Sequence, residues 1–258
     1  MTGAAKISLR GLEKSFGAKK VLRSLDLDVA EGRSLVLMGL SGSGKSVLLK
    51  CVLGLIQPDK GVIEVDGEDI LRASPREREK RTRQIGMLFQ GSALFDSLRV
   101  WENVAFRLIY SERRSKKVAR ARAIDCLAQV GLAPEVGELS PAELSGGMQK
   151  RVALARAIAA DPRVLFFDEP TSGLDPITAD VINNLIVERV RALGATAISI
   201  THDMHSAEKI ADDVAMIYEG VIIWRGSPAE MRTTDNPMVS QFVHGRADGP
   251  IKMALKRA

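Results

Sequence analysis

A glycine-rich loop that ends in a lysine and a serine is the part of the sequence best suited to chemistry. Residues 39–46 fit the pattern G-x-x-x-x-G-K-[ST]. Glycines allow successive backbone N–H groups to turn inward around phosphate oxygens, and a following helix points the positive end of its dipole at the same anion. Lys45 can reach the β- and γ-phosphates, and the Ser46 hydroxyl can ligate Mg²⁺. The loop therefore predicts binding of a nucleoside triphosphate through Gly39, Ser41, Gly42, Ser43, Gly44, Lys45 and Ser46.

A second chemical feature is a pair of acids at the end of an apolar run. Residues 164–167 are Val, Leu, Phe and Phe, and they lead into Asp168 and Glu169. Because alternate strand residues face opposite ways, the two carboxylates would project to different sides of the strand end. We assign Asp168 to the Mg²⁺ shell and Glu169 to polarising the attacking water as the general base. Acids in an ordinary turn before Pro170 are the alternative, and the phosphate-binding loop upstream favours the catalytic interpretation.

A third feature is a short loop ahead of a helix that we expect to run to Ala160. Residues 144–151 read Leu-Ser-Gly-Gly-Met-Gln-Lys-Arg. Ser145 is a candidate N-cap, and Gly146 and Gly147 expose backbone N–H groups at the helix start, which predicts a second anion site. On its own, the Ser-Gly-Gly string is more typical of an ordinary loop.

This third loop closely resembles the LSGGQ signature of ABC-type ATPases, with Met148 in place of the usual glutamine. The resemblance extends over about residues 7–243. It implies that Gln90 joins the core to a helical subdomain and contacts Mg²⁺ and the water, and that His202 contacts the γ-phosphate. It further implies that Asp175 belongs to a D-loop and that Phe16 stacks on adenine.

The resemblance therefore completes the expected site, which binds ATP and Mg²⁺. The expected catalytic residues are Lys45, Gln90, Glu169 and His202. The expected Mg²⁺ ligands are Ser46, Gln90 and Asp168. Beyond the phosphate-binding loop, the expected nucleotide contacts are Phe16, Ser145, Gly146, Gly147 and Asp175.

The elements that must position these residues follow an alternating pattern of strands and helices. An apolar strand at 35–38 precedes the phosphate-binding loop, and an apolar helix is expected over 46–56. Such a strand–loop–helix unit is typical of a parallel α/β sheet and not of a flexible linker. The segment 7–29 alternates like strands, whereas about 100–160 is largely helical in pattern.

We therefore expect an α/β fold with a P-loop NTPase (RecA-like) core, an N-terminal antiparallel β subdomain and an inserted α-helical subdomain. The whole ATPase domain is expected to span residues 1–243. The expected divisions are core plus β subdomain at 1–90 and 161–243, helical subdomain at 91–160, and a loosely held tail at 244–258.

Composition sets limits on the class of protein. The chain has 258 residues with a net charge of +5, 45% hydrophobic and 27% charged residues, so a disordered chain is excluded. Its apolar stretches fall short of the roughly 18 residues that a membrane-spanning helix needs, and residues 1–10 lack an apolar signal core, so we expect a cytoplasmic protein. Cys51 and Cys126 are expected to be reduced packing thiols. The positive charge suits nucleic acid, an anionic membrane or a solvated surface equally well.

One phosphate-binding loop and one signature imply a head-to-tail dimer with a second copy, because in this family each ATP lies between the two. A small-molecule kinase has no need for the signature or His202. DNA-repair relatives carry a long coiled coil that this chain lacks, and ribosome-acting relatives usually carry two cassettes. The ATPase subunit of a membrane transporter is favoured, with no nucleic-acid partner.

Short strings at residues 88–95, 143–148, 175–178 and 247–250 are similar to Mla-type phospholipid-trafficking ATPases. That likeness implies a peripheral position at the cytoplasmic face of the inner membrane, an integral permease and an MCE-domain lipid-binding subunit. We expect the permease to contact residues 90–106, where Phe95, Val100 and Trp101 offer apolar area. An importer of amino acids or other small solutes is the alternative.

Overall fold

The computed structural model describes residues 5–252, including the side chains of all but residues 75, 78 and 79. Its elements form two sheets and a group of helices. The strands are β1 Ala5–Phe16, β2 Lys19–Ala30, β3 Ser34–Met38, β4 Lys60–Val65, β5 Glu68–Asp69, β6 Ile85–Leu88, β7 Val164–Asp168, β8 Thr196–Ile200, β9 Asp213–Tyr218 and β10 Val221–Gly226. The helices are α1 Lys45–Val52, α2 Pro75–Thr82, α3 Val100–Tyr110, α4 Lys116–Gln129, α5 Gly146–Ile158, α6 Pro176–Leu193, α7 Met204–Ile210, α8 Pro228–Thr233 and α9 Pro237–Val243.

The larger sheet brings the chemical motifs to one edge. It has six strands in the order β10-β9-β3-β8-β7-β6, and β3 pairs in parallel with both β8 and β9. The strands β6, β7 and β8 are parallel to one another. Because the carboxyl ends of parallel strands lie at the same edge, the segments that follow β3, β6, β7 and β8 are neighbours there. These are the segments that contain the predicted site residues.

The smaller sheet is antiparallel, with four strands in the order β2-β1-β4-β5. Alternating residues of β1, such as Ile7 and Leu9, are 1% exposed and face the apolar layer that also contains Leu48 of α1. The other face of the larger sheet packs against helices in a second cluster, which includes Val104 of α3 and Val152 of α5. The expected antiparallel sheet, parallel core and helical part are thus all present.

Helix lengths differ from the sequence expectation at two places. The helix after the phosphate-binding loop ends at Val52 and not at residue 56. Gly54 follows with a φ of 71°, a left-handed conformation that ends helices. The signature helix α5 ends at Ile158, two residues before Ala160. None of the helices within residues 5–252 is long and apolar enough to cross a membrane.

The beginning of the tail is held in place, contrary to the expectation of a loosely held segment. The side chain of Gln241 is 7% exposed, and its Nε2 donates to the carbonyl oxygen of Ile251 at 3.0 Å. The backbone N–H of Ile251 donates back to Gln241 Oε1 at 2.8 Å, and Ile251 is 4% exposed. A Cβ atom at Gly249 would lie 2.4 Å from Gln241 Cδ, so only glycine allows this close approach. Residues 253–258 of the expected tail lie outside the described part of the chain.

Candidate nucleotide-binding site

The phosphate-binding loop connects the buried strand β3 to helix α1 and turns tightly at its glycines. Gly39 has a φ of 149°, and a Cβ atom there would lie 2.3 Å from the carbonyl oxygen of Ile217 on strand β9. Any larger residue would therefore push the loop away from the sheet. Ser41, Gly42 and Ser46 are exposed at the loop surface. The loop is thus a fixed cradle with accessible backbone and hydroxyl groups.

Lys45 lies across the loop with its ammonium held by backbone oxygens. Its Nζ donates to the carbonyl oxygens of Gly39 at 2.7 Å and Leu40 at 2.9 Å. Burial lowers the pKa of Lys45, and the carboxylates of Glu169 and Asp168 act in the opposite direction. Lys45 is therefore close enough to both acids to interact electrostatically with them.

Ser43 adds an unpartnered polar atom to the cradle. Its side chain is 7% exposed, and its Oγ has no hydrogen-bond partner within the described part of the chain. A buried hydroxyl without a partner costs free energy, which a bound acceptor such as a phosphate oxygen would relieve. The loop residues, including Gly44 at the start of α1, thus fit a phosphate group.

The two acids lie at the end of β7, beside the loop. Burial raises the pKa of Asp168, the neighbouring Glu169 adds to this effect, and lysines oppose it. Glu169 has a φ of 48°, a left-handed conformation that is uncommon for a residue other than glycine. Its backbone N–H donates to the carbonyl oxygen of Ile200, the last residue of the neighbouring strand β8. This bond ties the acid to the strand that leads to His202.

His202 and Glu169 are in direct contact. The Nδ1 atom of His202 lies 2.9 Å from Oε1 of Glu169. The Glu169 side chain is 13% exposed and that of His202 is 68% exposed, so the histidine covers the acid from the solvent side. The structure therefore brings these two predicted site residues together.

A buried polar network lies beneath this pair. Ser206 of α7 is fully buried, and its Oγ lies 3.1 Å from Thr171 Oγ1 and 2.9 Å from Asn183 Nδ2. The same hydroxyl donates to Asp203 Oδ2 at 2.5 Å. The network therefore connects the segment after Glu169, helix α6 and the segment after β8. These residues gave no signal in the sequence because they are common types at positions far apart in the chain.

Gln90 follows strand β6, and basic side chains of α5 hold the backbone around it. Lys150 Nζ donates to the carbonyl oxygens of Gln90 and of Glu169, the latter at 3.3 Å. Arg156 donates to the carbonyl oxygens of Ser92 and Ala93, each at 2.6 Å. Burial lowers the pKa of both Lys150 and Arg156. These two cations were not singled out from sequence, because nothing in the residue pattern of α5 sets them apart from its other polar residues, such as Arg151.

The signature loop and the start of α6 form a separate part of the site. Ser145 caps α5, with its Oγ accepting from the backbone N–H of Met148 at 3.3 Å. Asp175 caps α6, with its carboxylate accepting from the N–H groups of residues 177 and 178. A hydrogen bond from the side chain of Thr178, together with these backbone bonds, lowers the pKa of Asp175. Ser145, Gly146 and Asp175 are exposed, and Gly147 is half-buried. Both helix starts thus present polar groups at the surface.

Phe16 lies at the end of β1 and is 50% exposed, so it is not a core residue. Lys14 Nζ lies 5.5 Å from the centre of its ring and also bonds to Asp59 Oδ1 at 2.7 Å. The backbone N–H of Ser15 donates to the other oxygen of Asp59 at 2.7 Å. Asp59 therefore fixes the strand end from which the aromatic ring projects.

Comparison with known proteins identifies related chains. Residues 22–172 match the ABC transporter family. The intermembrane phospholipid transport system ATP-binding protein MlaF of Haemophilus influenzae is 38% identical over 246 residues, which are 95% of this chain and 93% of that protein. The probable ribonucleotide transport ATP-binding protein mkl of Mycobacterium leprae is 38% identical over 97% of this chain and 72% of that protein.

A solved structure has the same architecture. The ATP-binding cassette MJ0796, in a dimeric post-hydrolysis state bound to ADP and Pi, has a TM-score of 0.79 and 31% identity, with 86% of this chain and 98% of that chain covered. The expected P-loop NTPase fold is thereby confirmed.

Proposed function

The chain belongs to the ABC transporter family and is an ATPase, and we propose that its ATP hydrolysis moves phospholipids between the inner and outer membranes of bacteria. The end-to-end match to the phospholipid transport protein MlaF carries this proposal, since it covers 95% of this chain and 93% of that protein. The relative that is named as a ribonucleotide transport protein has the same sequence identity of 38%, but this chain covers only 72% of its length.

ATP is held by the phosphate-binding loop in this proposal. The loop N–H groups and Ser43 Oγ bind the phosphates, Lys45 neutralises their charge, and Phe16 stacks on adenine. Mg²⁺ suits the oxygen donors of Ser46, Gln90 and Asp168. Within residues 5–252 no group of three or more His, Cys, Asp or Glu residues could hold a metal by itself, so phosphate oxygens would complete the Mg²⁺ shell. Bound Mg²⁺ would withdraw charge from the phosphates during the reaction.

Glu169 is the general base of the proposed reaction. Its Oε1 is engaged by His202, which leaves Oε2 to accept a proton from the attacking water. The hydrogen bond fixes the orientation of the carboxylate, and in the proposed site the other ring nitrogen of His202 contacts the γ-phosphate. Gln90 orients the water from the neighbouring strand end. Lys45 remains close to both acids and to the transferred phosphoryl group.

A second copy of the chain completes the site in the proposed assembly. Ser145, Gly146, Gly147 and Asp175 lie at helix starts where their polar groups are accessible, as a contact to a partner's nucleotide requires. The related cassette MJ0796 is described as dimeric with ADP and Pi bound. We therefore propose a head-to-tail homodimer in which each signature loop contacts the ATP of the other copy.

An exposed aromatic row is the proposed contact with the integral permease. The rings of Phe95 and Phe106 stack with centres 4.6 Å apart, and Tyr110 follows at 4.7 Å. Phe95 is 44% exposed and Tyr110 is 64% exposed. Val100, which we also expected at this contact, is fully buried and packs in the helical core instead. Trp101 is half-buried, so the aromatic row supplies most of the apolar area.

The proposed complex places this subunit at the cytoplasmic face of the inner membrane, bound to the permease, with an MCE-domain subunit handling the lipid and no nucleic acid involved. The test is to purify the intact membrane complex and to identify its proteins and bound lipids. The complex is then reconstituted with donor and acceptor vesicles, and ATP-dependent phospholipid transfer is compared with that of Glu169→Gln. Co-purified phospholipid with ATP-dependent transfer is expected. Transport of ribonucleotides or amino acids in place of lipid, or co-purification of RNA, would overturn the proposal.

A further inference from the structure

Lys150 is a buried cation in the middle of the signature helix α5. It is 5% exposed, and the carboxylates of Asp168 and Glu169 interact with it electrostatically. Its Nζ is directed at two backbone oxygens, those of Gln90 and Glu169. Burying an ammonium group is costly unless it has partners, so a lysine at this position needs these carbonyl groups to satisfy it.

The two carbonyl groups belong to segments that approach the site from different strands. Gln90 follows β6, and Glu169 follows β7, which pairs with β6. Arg156 fixes the far side of the Gln90 loop, where Ser92 and Ala93 have φ values of 60° and 47°. Two cations of helix α5 therefore hold this strained loop, Lys150 at one end and Arg156 at the other. Of the two, only Lys150 also contacts the segment that contains Glu169.

The backbone of Glu169 is fixed on both sides. Its N–H donates to the carbonyl oxygen of Ile200, and its own carbonyl accepts from Lys150 and from the N–H of Ser172 at 3.2 Å. Glu169 has a left-handed φ of 48°, which would relax toward more populated conformations without such contacts. The direction of the carboxylate depends on this backbone conformation.

We propose that Lys150 is a positioning residue for ATP hydrolysis: it holds the main chains of Gln90 and Glu169 in one arrangement and ties both to the helix that begins at the signature loop. Ser145 caps that helix, about one and a half turns before Lys150. The side chain of Lys150 thus connects the Gln90 loop and the general base to the helix that follows the signature loop. This proposal depends on ATP hydrolysis and not on the identity of the cargo.

The test compares Lys150→Met with Lys150→Arg in the full chain within its membrane complex. Methionine keeps most of the unbranched stem of lysine and removes the charge and the donors, whereas arginine keeps a cation with donors. Arg122→Met is the matched control. Arg122 also donates to a backbone oxygen of the signature helix, that of Ala159 at 3.1 Å, but Ala159 lies at the opposite end of this helix from the signature loop. The measurements are kcat and KM for ATP, the Kd for ATP, and hydrogen exchange of residues 90–93 and 169–172.

Lys150→Met is expected to lower kcat about tenfold or more with the Kd for ATP changed less than about twofold, because misplacing a catalytic group costs rate and not binding. Hydrogen exchange should rise in both segments, Lys150→Arg should recover most of the rate, and Arg122→Met should stay near the wild type. A wild-type kcat in Lys150→Met overturns the proposal. So does a loss of kcat that is matched by an equal loss of ATP binding, or a Lys150→Arg variant that recovers none of the rate.

Discussion

The imidazole of His202 and the carboxylate of Glu169 form one hydrogen-bonded pair, with Nδ1 and Oε1 2.9 Å apart. An ionised carboxylate only accepts hydrogen bonds, so in the state in which Glu169 is ionised Nδ1 of His202 is the donor. The Nε2 atom is then free to meet a second group. Because the two residues follow neighbouring parallel strands, their separation is set by the sheet and not by a flexible loop.

Replacing Glu169 by glutamine should separate ATP binding from hydrolysis. The amide keeps the shape and a hydrogen bond to His202 but cannot take a proton from water. We expect kcat to fall by about a hundredfold to ten-thousandfold, the usual contribution of a general base, with the Kd for ATP unchanged. ATP hydrolysis and equilibrium ATP binding are measured on the purified complex. Glu135→Gln, at an exposed position, is the control, and wild-type turnover in Glu169→Gln would remove Glu169 as the base.

A charge on the aromatic row should uncouple hydrolysis from transport. Phe95→Glu places a carboxylate where the proposed permease helix packs, and desolvating that charge would oppose docking. We expect ATP-dependent lipid transfer to fall by about tenfold or more while ATP binding is retained. Val118→Glu is the control, because Val118 is 53% exposed on α4 of the same helical region. Unchanged transfer by Phe95→Glu in reconstituted vesicles would contradict the proposed contact.

Both cysteines should be unreactive in the folded chain. Cys51 and Cys126 are fully buried, and burial raises the pKa of each thiol to about 11. At pH 8 iodoacetamide should label neither thiol in native protein and both in urea, as mass spectrometry would show. Because the unfolded thiols ionise near their ordinary value of 9.0, stability should fall as the pH rises from 9.0 toward 11. Rapid labelling of native protein at pH 8 would contradict this account of the burial.

Replacing Gln241 alone should release the segment around Ile251 at the beginning of the tail. Gln241→Leu preserves bulk and removes the hydrogen bonds to Ile251, which leaves buried backbone groups without partners at a cost of about 1–3 kcal/mol. We expect faster hydrogen exchange at Ile251 and faster tryptic cleavage after Arg246. Ser240→Ala on the same helix serves as the control. Exchange at Ile251 that matches the wild type would show that apolar packing alone holds the segment.

The sequence predicted those parts of the site whose residues are close together along the chain. The phosphate-binding loop and the apolar strand that ends in Asp168 and Glu169 are recognisable because spacing along the chain sets their geometry. The contacts of Lys150 and Arg156 were not predictable, since a long cation that reaches a distant carbonyl oxygen leaves no periodic pattern. The left-handed conformation of Glu169 could not be predicted either, because tertiary hydrogen bonds and not the residue type impose it.

The buried hydroxyl of Ser206 has a consequence for how such a chain can evolve. It lies within hydrogen-bond distance of Thr171 and Asn183, so a change at any one position leaves a polar atom stranded in the interior. Substitutions at these three positions should therefore occur together during evolution and not one at a time. Among descendants of this sequence, the segment after the general base and the one after His202 would then diverge in step, although more than thirty residues separate them.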